Sequence, residues 1–220
     1  MPRFSVVVPV YKAQEHLQEC LDSVLGQSFT DLELIAVDDG SPDGCGAVLD
    51  ACAATDRRVV PLHLPENRGP GPARNAGLEY ATGGWLLFLD AHDTLAPGAL
   101  RAVADRLGRT GEPDVLVFGH AREHRPGPAV RDEPHLLLSE EGPASFYAAD
   151  RPGLLELPPT AWNKAYRREY VEKQGLRFPA GHHEELWWSY AALLAADTVA
   201  VLDRVCVHDR QRPGPGPLPV

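Results

Sequence analysis

The sequence predicts an α/β fold: a mainly parallel sheet flanked by helices, within a single domain. Apolar, β-branched runs alternate with segments of helical periodicity four times before residue 110. Such alternation implies parallel strands joined by right-handed crossovers. The 220 residues are 44% apolar, which is enough to bury one substantial core. Polar residues follow several predicted strands, at the edge where open α/β sheets bind ligands.

The first strand is predicted over residues 4–10, a β-branched run typical of a strand buried on both faces. Apolar residues then recur at helical spacing over residues 15–25, and Gly26 ends that pattern. The same unit recurs three more times. The predicted strands are 32–37, 59–64 and 85–89, and the predicted helices are 48–54, 73–80 and 97–107.

The second half is less regular. We expect a fifth strand over 115–119, a polar, mobile loop over 121–134, a short strand over 162–166, and helices over 168–174 and 184–196. Residues 213–220 are almost all Pro and Gly, a composition that predicts a disordered tail.

Charge and cysteine usage exclude several classes of protein. The formal net charge is −10, which argues against a nucleic-acid partner bound through a broad basic surface. The chain has four cysteines, at positions 20, 45, 52 and 206, and no Cys-x-x-Cys spacing among them. This argues against the common cysteine zinc sites and against a thioredoxin-like redox motif. We expect reduced, partly buried thiols.

The hydrophobic runs are strand-sized, well short of the roughly 20 apolar residues that a membrane span needs. The start of the chain has no charged leader or cleavage-like site. We therefore expect a cytoplasmic protein, at most peripherally bound to the inner face of the membrane.

An apolar run over residues 86–89 ends abruptly in acidic and imidazole side chains. Asp90 and His92 are two apart in extended chain, so their side chains point the same way and could hold one divalent cation. In the alternative interpretation, Asp93 caps the helix that begins at Pro97, and Asp90 and His92 are only polar residues of a turn.

The order of motifs resembles that of family 2 glycosyltransferases, which adopt the GT-A fold. The matching motifs are residues 5–11 (SVVVPVY), 37–41 (VDDGS), 67–69 (NRG), 73–77 (ARNAG), 88–93 (FLDAHD), 162–168 (WNKAYRR), 184–185 (EE) and 210–212 (RQR). The chain most resembles the amino-terminal glycosyltransferase-like domains of actinobacterial proteins that continue into a glycerophosphotransferase. The resemblance implies a GT-A domain over residues 1–212, with a nucleotide-sugar half of about 1–95 and an acceptor half of about 96–212.

The resemblance implies that Pro9, Val10, Tyr11, Asp38 and Asp39 hold the nucleobase and ribose of a nucleotide-sugar donor. A carboxylate can accept the imide N–H of uracil, so we expect a UDP-sugar. The alternative is that one of the two aspartates caps the following helix.

The same resemblance places Arg74, Asp90, Ala91, Arg210 and Arg212 at the donor. Arg74, at the start of the third predicted helix, could meet the diphosphate together with free N–H groups of the helix terminus. A surface ion pair is the alternative role for Arg74. Arg210 and Arg212 could clamp the diphosphate when the end of the chain folds over the donor.

The metal motif of the family is Asp-x-Asp, and Asp90 and His92 occupy its two ligand positions here. The implied cofactor is Mn²⁺ or Mg²⁺, and the imidazole favours Mn²⁺. A bound cation would neutralise the diphosphate leaving group. Only neutral imidazole coordinates a metal, so we expect metal binding to weaken at acidic pH.

The implied reaction is inverting transfer of the sugar to a hydroxyl of a glycan or cell-envelope acceptor. Family members place the general base within a Glu-Asp pair, so Glu185 is the expected base and Glu184 its neighbour. In the alternative reading, both acids only favour the start of a helix.

A competing function is a degenerate, non-catalytic domain that binds a nucleotide or a partner protein. Three departures from the family pattern favour it: Lys12 where Asn is usual, His92 for Asp, and Glu185 for Asp. Nucleotidyl transfer is set aside, because residues 10–14 lack the glycine-rich loop that it requires.

Overall fold

The computed structural model describes residues 1–123, 129–131 and 135–210. The strands are β1 (Phe4–Val10), β2 (Leu32–Asp38), β3 (Val59–His63), β4 (Trp85–Phe88), β5 (Thr94–Leu95), β6 (Val115–Glu123), β7 (Ala129–Arg131), β8 (Lys164–Arg167) and β9 (Val199–Arg210). The α-helices are α1 (Gln14–Leu25), α2 (Cys45–Thr55), α3 (Pro70–Tyr80), α4 (Ala99–Arg109), α5 (Arg168–Lys173) and α6 (Glu184–Leu194). Short 3₁₀ helices cover His135–Leu138, Ala148–Asp150 and Pro152–Glu156.

These strands form one sheet in the order β3-β2-β1-β4-β8-β6-β9-β5, and β7 pairs with β6. Strands β3, β2, β1 and β4 run parallel, as does the β6–β9 pair. Strand β8 runs antiparallel to both of its neighbours. The predicted α/β class with one domain is confirmed: the sheet is parallel where the strand–helix units repeat and mixed in the second half.

Helices cover both faces of the sheet, because β1 and its neighbours bury alternate side chains on opposite sides. Val6 and Val8 of β1 pack in one core with the apolar stripe of α1 and with residues of α2 and α4. Val7 packs in a second core on the other face, with residues of α3, α5 and α6. All four cysteines are free thiols, as expected, and they are buried, not partly buried as predicted.

Several element boundaries differ from those predicted. The fourth long helix begins at Ala99 rather than residue 97, because Gly98 has φ 73° and precedes it in a left-handed conformation. The loop prediction over residues 121–134 is wrong in part, since β6 continues to Glu123 and Ala129–Arg131 forms β7. Its remaining residues, like the predicted tail at 213–220, lie outside the described residues.

The carboxyl ends of β1, β2 and β4 lie side by side in the sheet, because β1 pairs with both of the others. The residues after these three strands therefore converge on one edge. In the described part of the chain, no helix combines the length and the apolar character needed to cross a membrane.

Candidate active site

A cleft of about 510 Å³ opens at the carboxyl ends of β1 and β4, between the start of α3 and the start of α6. Most of the predicted site residues line it: Pro9, Val10, Tyr11, Asp39, Arg74, Asp90, Ala91, His92, Glu184 and Glu185. Lys12, Ala13, Asn67, Gly69 and Pro70 complete the lining. The structure thus brings together motifs that are up to 176 residues apart, from Pro9 to Glu185.

Asp39 is buried at the inner wall of the cleft and is held by backbone N–H groups. Its Oδ1 and Oδ2 accept hydrogen bonds from the N–H groups of Arg68 at 2.9 Å and Gly69 at 2.8 Å. Gly40 follows with φ 64°, and a Cβ there would lie 2.7 Å from the Glu66 carbonyl carbon, so only glycine fits this turn. The N–H groups of the motif at 67–69 therefore fix the orientation of the Asp39 carboxylate.

Asp38 is buried beside this turn and does not line the cleft. Its Oδ1 accepts the N–H of Ser41 at 2.9 Å, and its Oδ2 lies 3.4 Å from Nδ1 of His63. The alternative in which Asp38 or Asp39 caps the next helix is wrong, because α2 begins at Cys45 without a side-chain cap. Asp38 shapes the turn that presents Asp39, while direct contact between Asp38 and a donor stays a prediction.

Arg74 is buried in the lining of the cleft and forms ion pairs with three carboxylates. Its Nη2 is 2.7 Å from Oδ1 of Asp90 and 3.0 Å from Oε1 of Glu185, and its Nη1 is 3.0 Å from Oε1 of Glu184. The alternative role of Arg74 in an ion pair is therefore confirmed in part: the pairs exist, but only 3% of the side chain is exposed, so they are buried and not at the surface. Through these contacts the guanidinium of Arg74, on α3, links the segment after β4 to the start of α6. Its contact with a diphosphate stays a prediction.

Glu184 and Glu185 occupy the first turn of α6, where carboxylates favour the positive end of a helix. Glu185 also accepts the Ala161 N–H at 3.3 Å, so α3 and the loop before β8 both hold it. Burial raises the pKa of Glu185 to about 7, against the opposing charge of Arg74 and together with the Asp90 carboxylate. A carboxyl group that titrates near neutral pH is suited to general-base chemistry.

Asp90, His92 and Asp93 each present a ligand atom within 4.8 Å of the others. Asp93 is buried: its Oδ1 accepts the Arg210 N–H at 2.8 Å, and its Oδ2 has no hydrogen-bond partner among the described residues. Burial and the neighbouring Asp90 raise the pKa of Asp93 to about 9. Two carboxylates and an imidazole are suitable ligands for a divalent cation, and one of the carboxylate oxygens has no partner. A bound cation would relieve the repulsion between the Asp90 and Asp93 carboxylates.

Asp93 is the residue that the sequence left undecided. The alternative in which it caps a helix is wrong, because α4 begins at Ala99 after the short strand β5. In the sequence, the only indication that Asp93 belongs to the metal site is that it is the third polar residue after β4. In the structure, the proximity of its carboxylate to Asp90 and His92 makes it a candidate third ligand.

Arg210 ends β9 outside the cleft lining. Its guanidinium pairs with Glu19 and lies 3.6 Å from Glu123, and the side chain is almost fully buried. Its predicted role as a diphosphate clamp stays a prediction, and Arg212 lies outside the described residues.

Comparison with known proteins identifies the family of this chain. The family model described as glycosyl transferase family 2 matches residues 5–175. The chain belongs to glycosyltransferase family 2. EpsH of Bacillus subtilis (strain 168) is 29% identical over 215 residues, which are 95% of this chain and 61% of EpsH. This family 2 chain therefore spans about three fifths of the length of that relative.

Solved structures show the same fold. S. aureus TarS in complex with UDP-GlcNAc matches with a TM-score of 0.83 and 24% identity, over 98% of this chain and 60% of that one. The mannosyltransferase PcManGT from Pyrobaculum calidifontis, in complex with GDP-Man and Mn²⁺, matches with a TM-score of 0.67 and 20% identity, over 94% of this chain and 56% of that one. The likeness of this family 2 domain to actinobacterial proteins with a glycerophosphotransferase domain stays a prediction.

Proposed function

We propose that this family 2 chain is a metal-dependent inverting glycosyltransferase. It would move a sugar from a nucleoside diphosphate sugar, a UDP-sugar by preference, to a hydroxyl of a glycan or cell-envelope polymer. The observation that carries the proposal is one cleft lined by Asp39, Asp90, His92 and Glu185, in which the pKa of Glu185 is near neutral and the buried Asp93 lies beside Asp90 and His92. The ligands present in the TarS and PcManGT structures support a nucleotide-sugar donor and Mn²⁺ in this fold.

Asp39 is the residue that would recognise the nucleobase. Two backbone N–H groups hold both of its oxygens in place, and a carboxylate oxygen can accept more than one hydrogen bond. Uracil and thymine carry an imide N–H that such a carboxylate accepts. Tyr11, which is 39% exposed on the cleft wall, offers a flat face beside it. This pairing favours UDP over a cytosine nucleotide, which has no imide N–H.

Asp90 and His92, with Asp93, would hold the cation. Mn²⁺ is the preferred ion because imidazole is a better ligand for it than for Mg²⁺. When bound, the cation would act as a Lewis acid on the diphosphate leaving group. Arg74 would keep Asp90 aimed at the site through the 2.7 Å contact between Nη2 and Oδ1.

Glu185 would take the proton of the acceptor hydroxyl as that oxygen attacks the anomeric carbon. Its Oε1 is engaged by Arg74 at 3.0 Å and by the Ala161 N–H at 3.3 Å, which leaves Oε2 to receive the proton. A pKa of about 7 leaves a large ionised fraction at neutral pH while keeping the group basic. Glu184, bound to Nη1 of Arg74, would position the start of α6.

A thermal-shift panel tests the donor site. UDP, GDP, CDP and TDP are each added with and without Mn²⁺ to the wild-type chain, to His92→Ala and to Asp105→Asn, an exposed control on α4. At about 100 times Kd, binding adds about 2.7 kcal/mol and raises Tm by about 5–10 °C.

We expect the largest shift with UDP and Mn²⁺, its loss in His92→Ala, and its retention in Asp105→Asn. No shift with any nucleotide would overturn the donor site. An equal shift without metal would overturn the metal dependence.

A further inference from the structure

The cleft is rich in negative charge. Four carboxylates line it, and they belong to Asp39, Asp90, Glu184 and Glu185. Among the described residues, the lysine and arginine side chains that line it are those of Lys12 and Arg74. Arg74 is buried and already contacts three of the four carboxylates. A nucleoside diphosphate is itself an anion. Of the basic side chains that the structure describes in the cleft lining, that of Lys12 is therefore the one whose charge remains free to meet such a ligand.

Lys12 follows β1 directly and lies at the boundary between two cavities. The cleft and a neighbouring cavity of about 910 Å³ share Lys12, Ala13 and His92 as lining residues. Lys12 therefore borders both cavities together with His92, a candidate ligand of the cation that would hold the diphosphate of a donor.

The Lys12 ammonium forms no ion pair with a carboxylate of the described residues. Glu15 and Asp43 line the neighbouring cavity without pairing with it. Its Nζ lies 5.1 Å from the centroid of the Tyr11 ring, a cation–π contact on an exposed surface. This contact is weak, so the ammonium can leave it for a stronger partner at little cost.

The backbone of Lys12 is strained in a way that fits a ligand-facing turn. Its φ is 51°, in the left-handed region that Asn and Asp tolerate better than Lys does. Strain of this kind persists where the surrounding structure fixes a functional geometry. It also supplies a control, because Asn at position 12 removes the charge and suits the backbone better.

We propose that Lys12 is a donor-binding residue whose ammonium donates a hydrogen bond to the diphosphate of the nucleotide-sugar. The proposal rests on the proposed function, since it assigns a residue to the same donor site. It gives Lys12 the contact that Arg74 cannot make while its guanidinium holds three carboxylates.

Calorimetric titration with UDP, UMP and uridine in saturating Mn²⁺ tests this contact. The proteins are wild type, Lys12→Asn, Lys12→Arg and Lys173→Met, a control at an exposed lysine of α5. A charge-assisted hydrogen bond on a partly exposed phosphate predicts about a 5- to 20-fold loss of UDP affinity in Lys12→Asn. We expect a smaller loss for UMP, less than about twofold for uridine, and near-wild-type binding in Lys12→Arg and Lys173→Met.

The outcomes separate the two proposals. Unchanged UDP affinity in Lys12→Asn, or an equal loss for UDP and uridine, would overturn the role of Lys12 alone. Absence of UDP binding to the wild-type chain would overturn the donor site and the Lys12 contact together.

The lysine content allows a direct readout. The sequence contains three lysines, Lys12, Lys164 and Lys173, and Lys164 is buried. Reductive ¹³C-methylation keeps the charge of an exposed lysine and gives it an NMR signal. We expect UDP with Mg²⁺ to shift the Lys12 signal, which is assigned by its absence in Lys12→Asn, and to leave that of Lys173 in place. An unmoved Lys12 signal at saturating UDP would overturn the contact.

Discussion

Replacing Arg74 by Met tests the ion-pair network at the base of the cleft. The substitution keeps much of the side-chain volume but removes the charge that three carboxylates share. These belong to Asp90, Glu184 and Glu185, whose side chains are 22%, 11% and 23% exposed. At neutral pH the variant leaves like charges close together in a largely buried site.

The expected loss follows from the burial of these groups. Removing one partner of a buried ion pair typically destabilises a protein by 3–5 kcal/mol, because a desolvated charge is left without a partner. Here the partial exposure of Asp90 and Glu185 lets water relieve part of that penalty. We expect Arg74→Met to lose about 3 kcal/mol of unfolding free energy at pH 8.

The loss depends on pH. In the wild-type chain the pKa of Glu185 is about 7, above its ordinary value of 4.5, so the native state binds more protons than the unfolded state between those pH values. Stability therefore falls as pH rises through that window. Without Arg74 the pKa of Glu185 rises further, and the penalty of the substitution grows from pH 5.5 to pH 8.

Urea unfolding at both pH values, with a chelator present, measures this penalty. Arg57→Met, at an exposed arginine, is the control and should change the unfolding free energy by less than about 0.5 kcal/mol. A loss below about 1 kcal/mol at pH 8, or an equal loss at both pH values, would refute the reasoning.

Three further predictions concern packing, a buried lysine and the base. A Cβ at Gly77 would lie 2.4 Å from Cγ1 of Val7, so we expect Gly77→Ala to cost about 1–3 kcal/mol in chemical unfolding. Gly108→Ala, with open space at its Cβ, should instead stabilise α4 by about 0.5 kcal/mol, and equal effects at the two sites would contradict the packing. Burial lowers the pKa of Lys164 to about 7 from 10.5, so at this group the unfolded state binds more protons between these values, and Lys164 contributes stability that increases with pH. The unfolding free energy of Lys164→Met should therefore have a more negative pH slope than that of wild type over this range, and an identical slope would contradict the burial. Glu185→Asp should lower kcat by about 10- to 100-fold without weakening donor binding, and an unchanged kcat would argue against Glu185 as the base.

The half of the sheet that contains β1 to β4 was largely predictable from sequence. Each strand of that half is a short apolar run with its chemistry-bearing residues immediately after it, so element type and site are encoded in one local pattern. This pattern predicts Asp90 and His92 as candidate ligands, whereas Asp39 was predicted from the resemblance to the family. The pattern failed for β9, because Asp203, Arg204 and later charged residues interrupt its apolar run while β6 pairs with it across a bulge.

The contacts of the charged residues were not predictable, because they depend on distances between segments far apart in sequence. Arg74 and Glu184 are 110 residues apart and meet only because α6 packs at the same sheet edge as α3. No local signal distinguishes a guanidinium that binds a ligand from one that holds carboxylates. Asp38 and Arg210 illustrate the same limit, since each is engaged by side chains of other elements outside the cleft.

Release of UDP from UDP-sugars in the presence of Mn²⁺ and a panel of glycan acceptors is the most direct measurement. Wild type is compared with Glu185→Gln, after titration has shown that both bind UDP with the same Kd. We expect turnover by the wild-type chain with at least one donor, and a loss of at least about 100-fold in Glu185→Gln. Wild-type chain that binds UDP yet turns over no donor would identify a non-catalytic nucleotide-binding domain, and equal turnover by the two proteins would exclude Glu185 as the general base.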